Sequence, residues 1–172
     1  MEKFKNKYRI GSCRLKGYDY ATEGYYFVTI CSNDRVCCFG EIVNYEMRLS
    51  EVGKIVEKYW NEIPKHFENV ILDEFVIMPN HIHGIIVIEN DDVIDQNIVT
   101  GRNAINRVST GGITGIYNPM GKRTLGEIIR WYKGRCTFEI RKQKQFFAGW
   151  QSNYYEHIIR DEKGLVNIRK YK

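Results

Sequence analysis

Hydrophobic and polar positions alternate along this chain in ways that divide it into elements. Tyr25 to Cys31 (YYFVTIC) is β-branched and aromatic, the composition of a buried strand. Asn33-Asp34 is turn chemistry, and a second strand or a hairpin is expected between Cys38 and Leu49. From Ser50 the period changes. Val52, Ile55, Val56, Tyr59, Trp60 and Ile63 fall at i, i+3, i+4, i+7, i+8 and i+11, one apolar stripe of an amphipathic helix, with Ser50 as its N-cap and Pro64 as its stop. Val70 to Met78 (VILDEFVIM) reads as a strand and Pro79-Asn80 as a bend. His81 to Glu89 (HIHGIIVIE) is apolar at nearly every position after the histidines, the pattern of a central strand covered on both faces.

Beyond it the periodicity lapses. Residues 90–122 are rich in Asn, Asp, Gly and Thr and read as a flexible insertion. Thr124 and Glu127 have capping-box spacing, and Leu125, Ile128, Ile129, Tyr132, Cys136 and Ile140 form a second helical stripe. Tyr154 to Arg160 (YYEHIIR) reads as a last strand, and residues 162–171 as a final helix with Leu165 and Ile168 facing inward. Residues 1–20 read as an irregular arm. The order β-β-α-β-β-loop-α-β-α predicts one α+β domain over 1–172, an antiparallel sheet with helices packed on it.

Charge adds a candidate partner. Residues 1–20 carry six Lys/Arg against two acids (+4), residues 21–118 seven against fourteen (−7), and residues 119–172 thirteen against five (+8), which sum to the net +5. Two basic ends around an acidic middle suggest a surface that faces a polyanion. The candidate phosphate contacts are Arg14 and Lys16 in the N-terminal arm and Arg123, Arg130, Lys133 and Arg135 on the second helix. Tyr18, Tyr20 and Trp150 are candidates for stacking on unpaired bases. No stretch reaches the roughly 18 apolar residues a membrane span needs, and the start lacks the apolar core of a signal peptide. The five cysteines are odd in number with no C-x-x-C spacing, which reads as reduced thiols. A soluble, cytoplasmic protein is therefore expected.

His81-Ile82-His83 is the constellation that carries chemistry. Side chains two apart on a strand share a face, with Cα atoms about 6.5–7 Å apart. From there two ring nitrogens reach one metal ion at about 2.0–2.2 Å each. A zinc hydrolase would need a further ligand. His66 and His157 are the other histidines, and neither stands at a ligand-motif spacing to the pair, so a site of His81, His83 and His157 is the weaker alternative.

The run MPNHIHGIIVI (Met78–Ile88) resembles the HUH motif of single-tyrosine transposases, in which two histidines flank a bulky hydrophobic residue on a central strand. RLKGYDY (Arg14–Tyr20), YYFVTIC, CFGEI (Cys38–Ile42), LGEIIRWYK (Leu125–Lys133) and WQSNYYEHIIRDEKGLVNIRKY (Trp150–Tyr171) resemble REP-associated tyrosine transposases, so the likeness covers nearly the whole chain apart from residues 90–122. It implies a ferredoxin-like sheet with HUH endonuclease architecture. It also implies a metal-dependent single-stranded DNA endonuclease and strand transferase working at DNA hairpin ends. In such a protein Mg²⁺ or Mn²⁺ is held by the histidine pair, and a tyrosine forms a 5′-phosphotyrosine. In that family the tyrosine lies in the helix after the strand ending E-H-x-I-R. Counting from Glu156-His157-Ile158-Ile159-Arg160 gives Tyr171 as the catalytic residue, with Tyr154 and Tyr155 as competitors on the strand. The implied partner is single-stranded or hairpin DNA, and the implied state a monomer or a homodimer. Family members continue past the tyrosine with an apolar turn and an Asn-Pro, whereas this sequence stops at Lys172. A catalytically impaired hairpin-binding protein of the same fold is the alternative expectation.

Overall fold

The computed structural model describes residues 3–4, 7–8, 14–15, 17–89 and 123–170; the 90–122 insertion, Lys16 and Tyr171 lie outside the described residues. The elements in chain order are β1 (Lys3–Phe4), β2 (Lys7–Tyr8), β3 (Gly24–Cys31), β4 (Gly40–Val43), β5 (Glu46–Leu49), α1 (Glu51–Asn61), α2 (Ile63–His66), β6 (Val70–Met78), β7 (His81–Ile88), α3 (Leu125–Lys142), β8 (Tyr155–Ile159) and α4 (Glu162–Arg169). β1 and β2 pair with each other inside the arm that the sequence pattern left irregular.

The main sheet has the order β6-β7-β3-β8 with every neighbouring pair antiparallel. α1 follows β3 and leads into β6; α3 follows β7 and leads into β8. In both cases the strands joined through the helix are separated in the sheet by a third strand. This double split βαβ is the ferredoxin-like arrangement. The architecture is α+β, with helices packed on an antiparallel sheet, as the sequence pattern implies. β4 and β5 make a separate hairpin whose two turn residues, Asn44 and Tyr45, have φ of 51° and 66°, as a type I′ turn requires.

Strand alternation divides the interior between the two faces of the sheet. Tyr26, Val28 and Ile30 of β3 and Ile82, Ile86 and Ile88 of β7 are fully buried against α1 and α3, whose stripes (Val56, Tyr59, Trp60; Leu125, Ile128, Tyr132, Cys136) complete the main core. A Cβ at Gly84 would lie 2.3 Å from the Trp60 ring, so only glycine lets that indole reach the sheet. On the opposite face Ile85, Ile159 and Leu165 form a smaller cluster with Phe27, Val87 and Ile168, roofed by α4. β7 is thus covered on both faces except at its first residues, where His81 and His83 stand.

Local signals account for the helix ends. Ser50 Oγ accepts from the Gly53 N–H at 3.0 Å. Pro64 does not stop α1: the helix ends at Asn61, and Pro64 occupies the first turn of α2, where a missing N–H costs nothing. Thr124 Oγ1 accepts from the Glu127 N–H at 3.2 Å, while Glu127 Oε2 accepts from the Arg123 N–H at 2.6 Å, a capping box that reaches back one residue further than usual. β6 carries a bulge between Leu72 and Phe75, so Asp73 and Glu74 together face Ile85. Among the described residues no helix is long and apolar enough to cross a membrane.

Candidate active site

The bend at Pro79-Asn80 delivers His81 and His83 to the start of β7. His81 lies opposite Cys31 of β3 and Met78 of β6; His83 lies opposite Thr29 and Val76. Both side chains project from the α4 face, with ring centroids 4.6 Å apart and planes inclined at 76°. The His83 ring also stacks on Phe27, at 5.3 Å and 17°.

Each imidazole is oriented through Nδ1. His81 Nδ1 is 2.6 Å from Asn80 Oδ1, and the Asn80 Nδ2 donates to the Arg35 carbonyl at 3.1 Å. That second bond fixes which end of the carboxamide faces His81. A carboxamide oxygen only accepts, so His81 carries its proton on Nδ1 and presents the Nε2 lone pair. His83 Nδ1 is 2.8 Å from Thr29 Oγ1. Burial lowers the pKa of both rings, and the neighbouring His81 lowers that of His83 further. Neutral imidazoles anchored through one nitrogen are the form in which histidine binds metal through the other. The pair therefore fits two nitrogen ligands of an open cation site. Among the described residues no group of three or more His, Cys, Asp or Glu gathers to hold a metal. His157 faces Phe27 from β8, and His66 stacks on Trp131 at 4.5 Å. Neither joins the pair, which removes the support for a three-histidine zinc site.

α4 brings its far end to the histidines. Asp161 Oδ1 caps the helix by accepting from the Gly164 N–H at 2.6 Å. At the other end Arg169 Nε donates to Asp73 Oδ2 at 3.0 Å, which ties the helix to the β6 bulge. Ile168 and Arg169 line a small cleft together with Phe27, Ile85 and His83. Tyr171 follows two residues later, outside the described residues. Of the competing tyrosines, Tyr154 is buried beneath the Arg14 guanidinium, 3.8 Å from its ring centroid. Tyr155 is exposed on the same rung as Thr29, hence two strands away from His83, about 10 Å at ordinary strand spacing.

The residues expected to meet phosphates divide into two groups. Arg123, Arg130 and Arg135 are exposed on or beside α3. Arg14 and Lys133 are engaged inside the protein. Arg14 Nη1 pairs with Glu156 Oε2 at 3.0 Å, and Tyr20 Oη donates to Glu156 Oε1 at 2.7 Å. Lys133 Nζ donates to the carbonyls of Gln151 (2.8 Å) and Asn153 (3.0 Å), and burial pulls its pKa down to about 8. Tyr20 belongs to the core, and Tyr18 packs against it. Trp150 packs against Phe39, Phe147 and Tyr132, and its Nε1–H donates to the Lys133 carbonyl at 3.1 Å. Three residues that now belong to the site, Thr29, Asn80 and Asp73, were not singled out from the sequence. Thr29 had a signal, as the one hydroxyl-bearing aliphatic position in YYFVTIC, and so did Asn80, which directly precedes the pair. Asp73 had none, because its partner lies 96 residues away.

No family model matches the chain. An uncharacterized protein of Haemophilus influenzae is 44% identical to it over 160 residues, covering 93% of this chain and 84% of that protein. Among solved structures, a REP-associated tyrosine transposase bound to a REP hairpin superposes with a TM-score of 0.57 at 14% identity, covering 94% of this chain and 70% of the transposase. A candidate transposase from Deinococcus radiodurans gives a TM-score of 0.47 at 13% identity, covering 93% of this chain and 95% of that one. The first structure assigns the fold as that of a transposase, and by sequence the chain belongs to the same family as the Haemophilus influenzae protein.

Proposed function

We propose that the protein is a metal-dependent single-stranded DNA endonuclease and strand transferase of the transposase type, in which His81 and His83 hold Mg²⁺ or Mn²⁺ and Tyr171 is the nucleophile. The observation that carries this reading is the pair of neutral, Nδ1-anchored imidazoles on the sheet face covered by α4, the helix whose last turn shares a cleft with His83. The hairpin bound by the structural neighbour supports hairpin DNA as the substrate class.

A divalent ion bound there supplies polarisation of a phosphate oxygen and stabilises the charge of the transition state. The chain's own residues do the rest. Thr29 and Asn80 hold the rings so that both Nε2 atoms serve one site. Asp73, through Arg169, holds the end of α4 beside them. Tyr171 Oη attacks phosphorus in line; the Oη–P bond forms, the P–O3′ bond breaks, and the phenolic proton ends on the departing 3′ oxygen. The product is a 5′-phosphotyrosine and a free 3′-hydroxyl. A phenol with a pKa near 10 is a weak nucleophile, and positive charge from the adjoining Lys170 favours its ionised form. The phosphodiester energy stays in the tyrosyl ester, so a later 3′-hydroxyl can displace the tyrosine without ATP. Exposed Arg123, Arg130 and Arg135, with Lys16, are the phosphate contacts of this reading, and a cytoplasmic monomer or homodimer is its setting.

The test is incubation of the full chain with a labelled single-stranded DNA hairpin and Mn²⁺, followed by denaturing electrophoresis. The reading expects a covalent adduct that disappears in Tyr171→Phe and in His81→Ala/His83→Ala. A salt-sensitive gel shift with no adduct would replace it with the catalytically impaired hairpin binder, and no DNA affinity at all would overturn both.

A further inference from the structure

We infer that the groove between the second half of α3 and the segment leading into β8 binds an unpaired nucleic-acid strand at the end of the sheet where the histidine pair stands. The inference rests on the proposed function for the role of that pair, but not for the groove itself.

The groove is open and has a volume of about 610 Å³; Gly134, Phe138, Arg141, Lys142 and Trp150 are among its lining residues. Its floor contains a glycine in the middle of an 18-residue helix. Glycine destabilises a helix interior relative to alanine, and Gly84 and Gly53 have a reason to be glycine, since a Cβ would strike a neighbour at each. Gly134 has no such reason: nothing lies within 4 Å of a Cβ built there. A bare stretch of helix backbone facing an open groove leaves room for something outside the chain.

The chemistry of the walls selects the occupant. Arg141 and Lys142 line the groove beside Lys133, whose Nζ is held by the Gln151 and Asn153 carbonyls, and the described lining residues include no acid. Beside them Phe138 leaves its ring to water, at 58% exposure, and Trp150 is the second aromatic of the lining. The Arg135 guanidinium lies 5.7 Å from the Phe138 ring centroid. Cations alone would suit any polyanion, and rings alone any apolar partner. Rings interspersed with cations suit a polymer with a charged backbone and flat apolar faces that are free to stack, which is an unpaired strand rather than a duplex.

The groove also lies at the histidine end of the sheet. Trp150, on its rim, forms a backbone bridge with Ser32. The Ser32 N–H and Oγ both donate to the Asn80 carbonyl, at 2.9 and 3.0 Å. The Asn80 side chain holds His81. The rim of the groove and the histidine pair therefore lie at the same end of the sheet, on its two opposite faces, linked by three consecutive contacts.

The test is fluorescence anisotropy of the full chain with a labelled unpaired oligothymidylate, repeated with a labelled duplex and over a range of salt. Gly134→Leu fills the groove with a better helix former, and Phe138→Ala removes an exposed ring, so both should fold. Each is expected to weaken oligothymidylate binding by about 5- to 160-fold, the range for loss of one stacked base. Arg141→Gln/Lys142→Gln is expected to reduce the slope of log K against log salt by about 1.4, at roughly 0.7 per single-strand phosphate contact. Unchanged oligothymidylate affinity in Gly134→Leu and Phe138→Ala, or a loss that is equal for duplex, would overturn the inference. Failure of the Tyr171 adduct alone would sink the proposed chemistry and leave the groove result standing.

Discussion

Replacing Thr29 with valine tests the histidine pair through a residue outside the pair, in contact with His83 Nδ1. Valine keeps the shape and the β-branching of threonine, so β3 keeps its strand preference and its register against β7. What disappears is the 2.8 Å contact between Oγ1 and His83 Nδ1. The His83 ring would remain stacked on Phe27, which fixes its plane, but the hydroxyl that meets its Nδ1 would be gone. Loss of such an outer contact to a ligating histidine lowers metal affinity by about 10- to 100-fold, or about 1.4–2.7 kcal/mol. The effect on folding should be smaller, about 1 kcal/mol for one hydrogen bond, partly offset by the added methyl. Titration of Mn²⁺ by the loss of its free-ion EPR signal measures this directly, with Thr29→Ser as the control that keeps the hydroxyl. The reasoning fails if Thr29→Val binds Mn²⁺ within twofold of the parent while His83→Ala abolishes binding.

Other expectations follow from contacts elsewhere in the fold. Gly84→Ala should cost about 1–3 kcal/mol in urea denaturation, toward the upper end because the Trp60 ring it strikes is fully buried. Glu156→Ala should cost about 3–5 kcal/mol by thermal or urea unfolding, since it removes the carboxylate, only 4% exposed, that accepts from both Arg14 Nη1 and Tyr20 Oη. Stability should also fall as pH drops through about 6.5. The folded histidine pair titrates below the unfolded value of about 6.5, so on the acid side the unfolded chain binds more protons. Above that pH the pair imposes no such dependence, and in His81→Gln/His83→Gln the acid-side slope should be shallower; an identical slope in parent and variant would contradict the burial argument.

What could be read from the sequence was the part set by short-range patterns. The α1 stripe from Val52 to Trp60, the Ser50 and Thr124 caps and the alternation of YYFVTIC each depend on residues a few positions apart, and each stands in the structure. The pairing of His81 with His83 was legible for the same reason, because a two-residue spacing on a strand determines the face. Pro64 misled because a proline after a stripe stops one helix and opens the next equally well, and only the backbone beyond Asn61 decides between them. Arg14 and Lys133 looked like phosphate contacts because their partners are distant in sequence. Glu156 lies 142 residues from Arg14, and the carbonyls that hold Lys133 belong to Gln151 and Asn153. The same holds for Asp73, which reads as an ordinary charge in a strand until the bulge turns it toward Arg169.

Two imidazoles serving one cation are the centre of the proposed chemistry. Electron spin echo envelope modulation of Mn²⁺ added to the full chain reads that directly, since each coordinated imidazole couples its nitrogen to the electron spin. Two nitrogen couplings are expected in the parent, one in His81→Ala or His83→Ala, and none in the double variant. A bound Mn²⁺ without nitrogen coupling in the parent, or with couplings that survive both substitutions, would contradict the assignment.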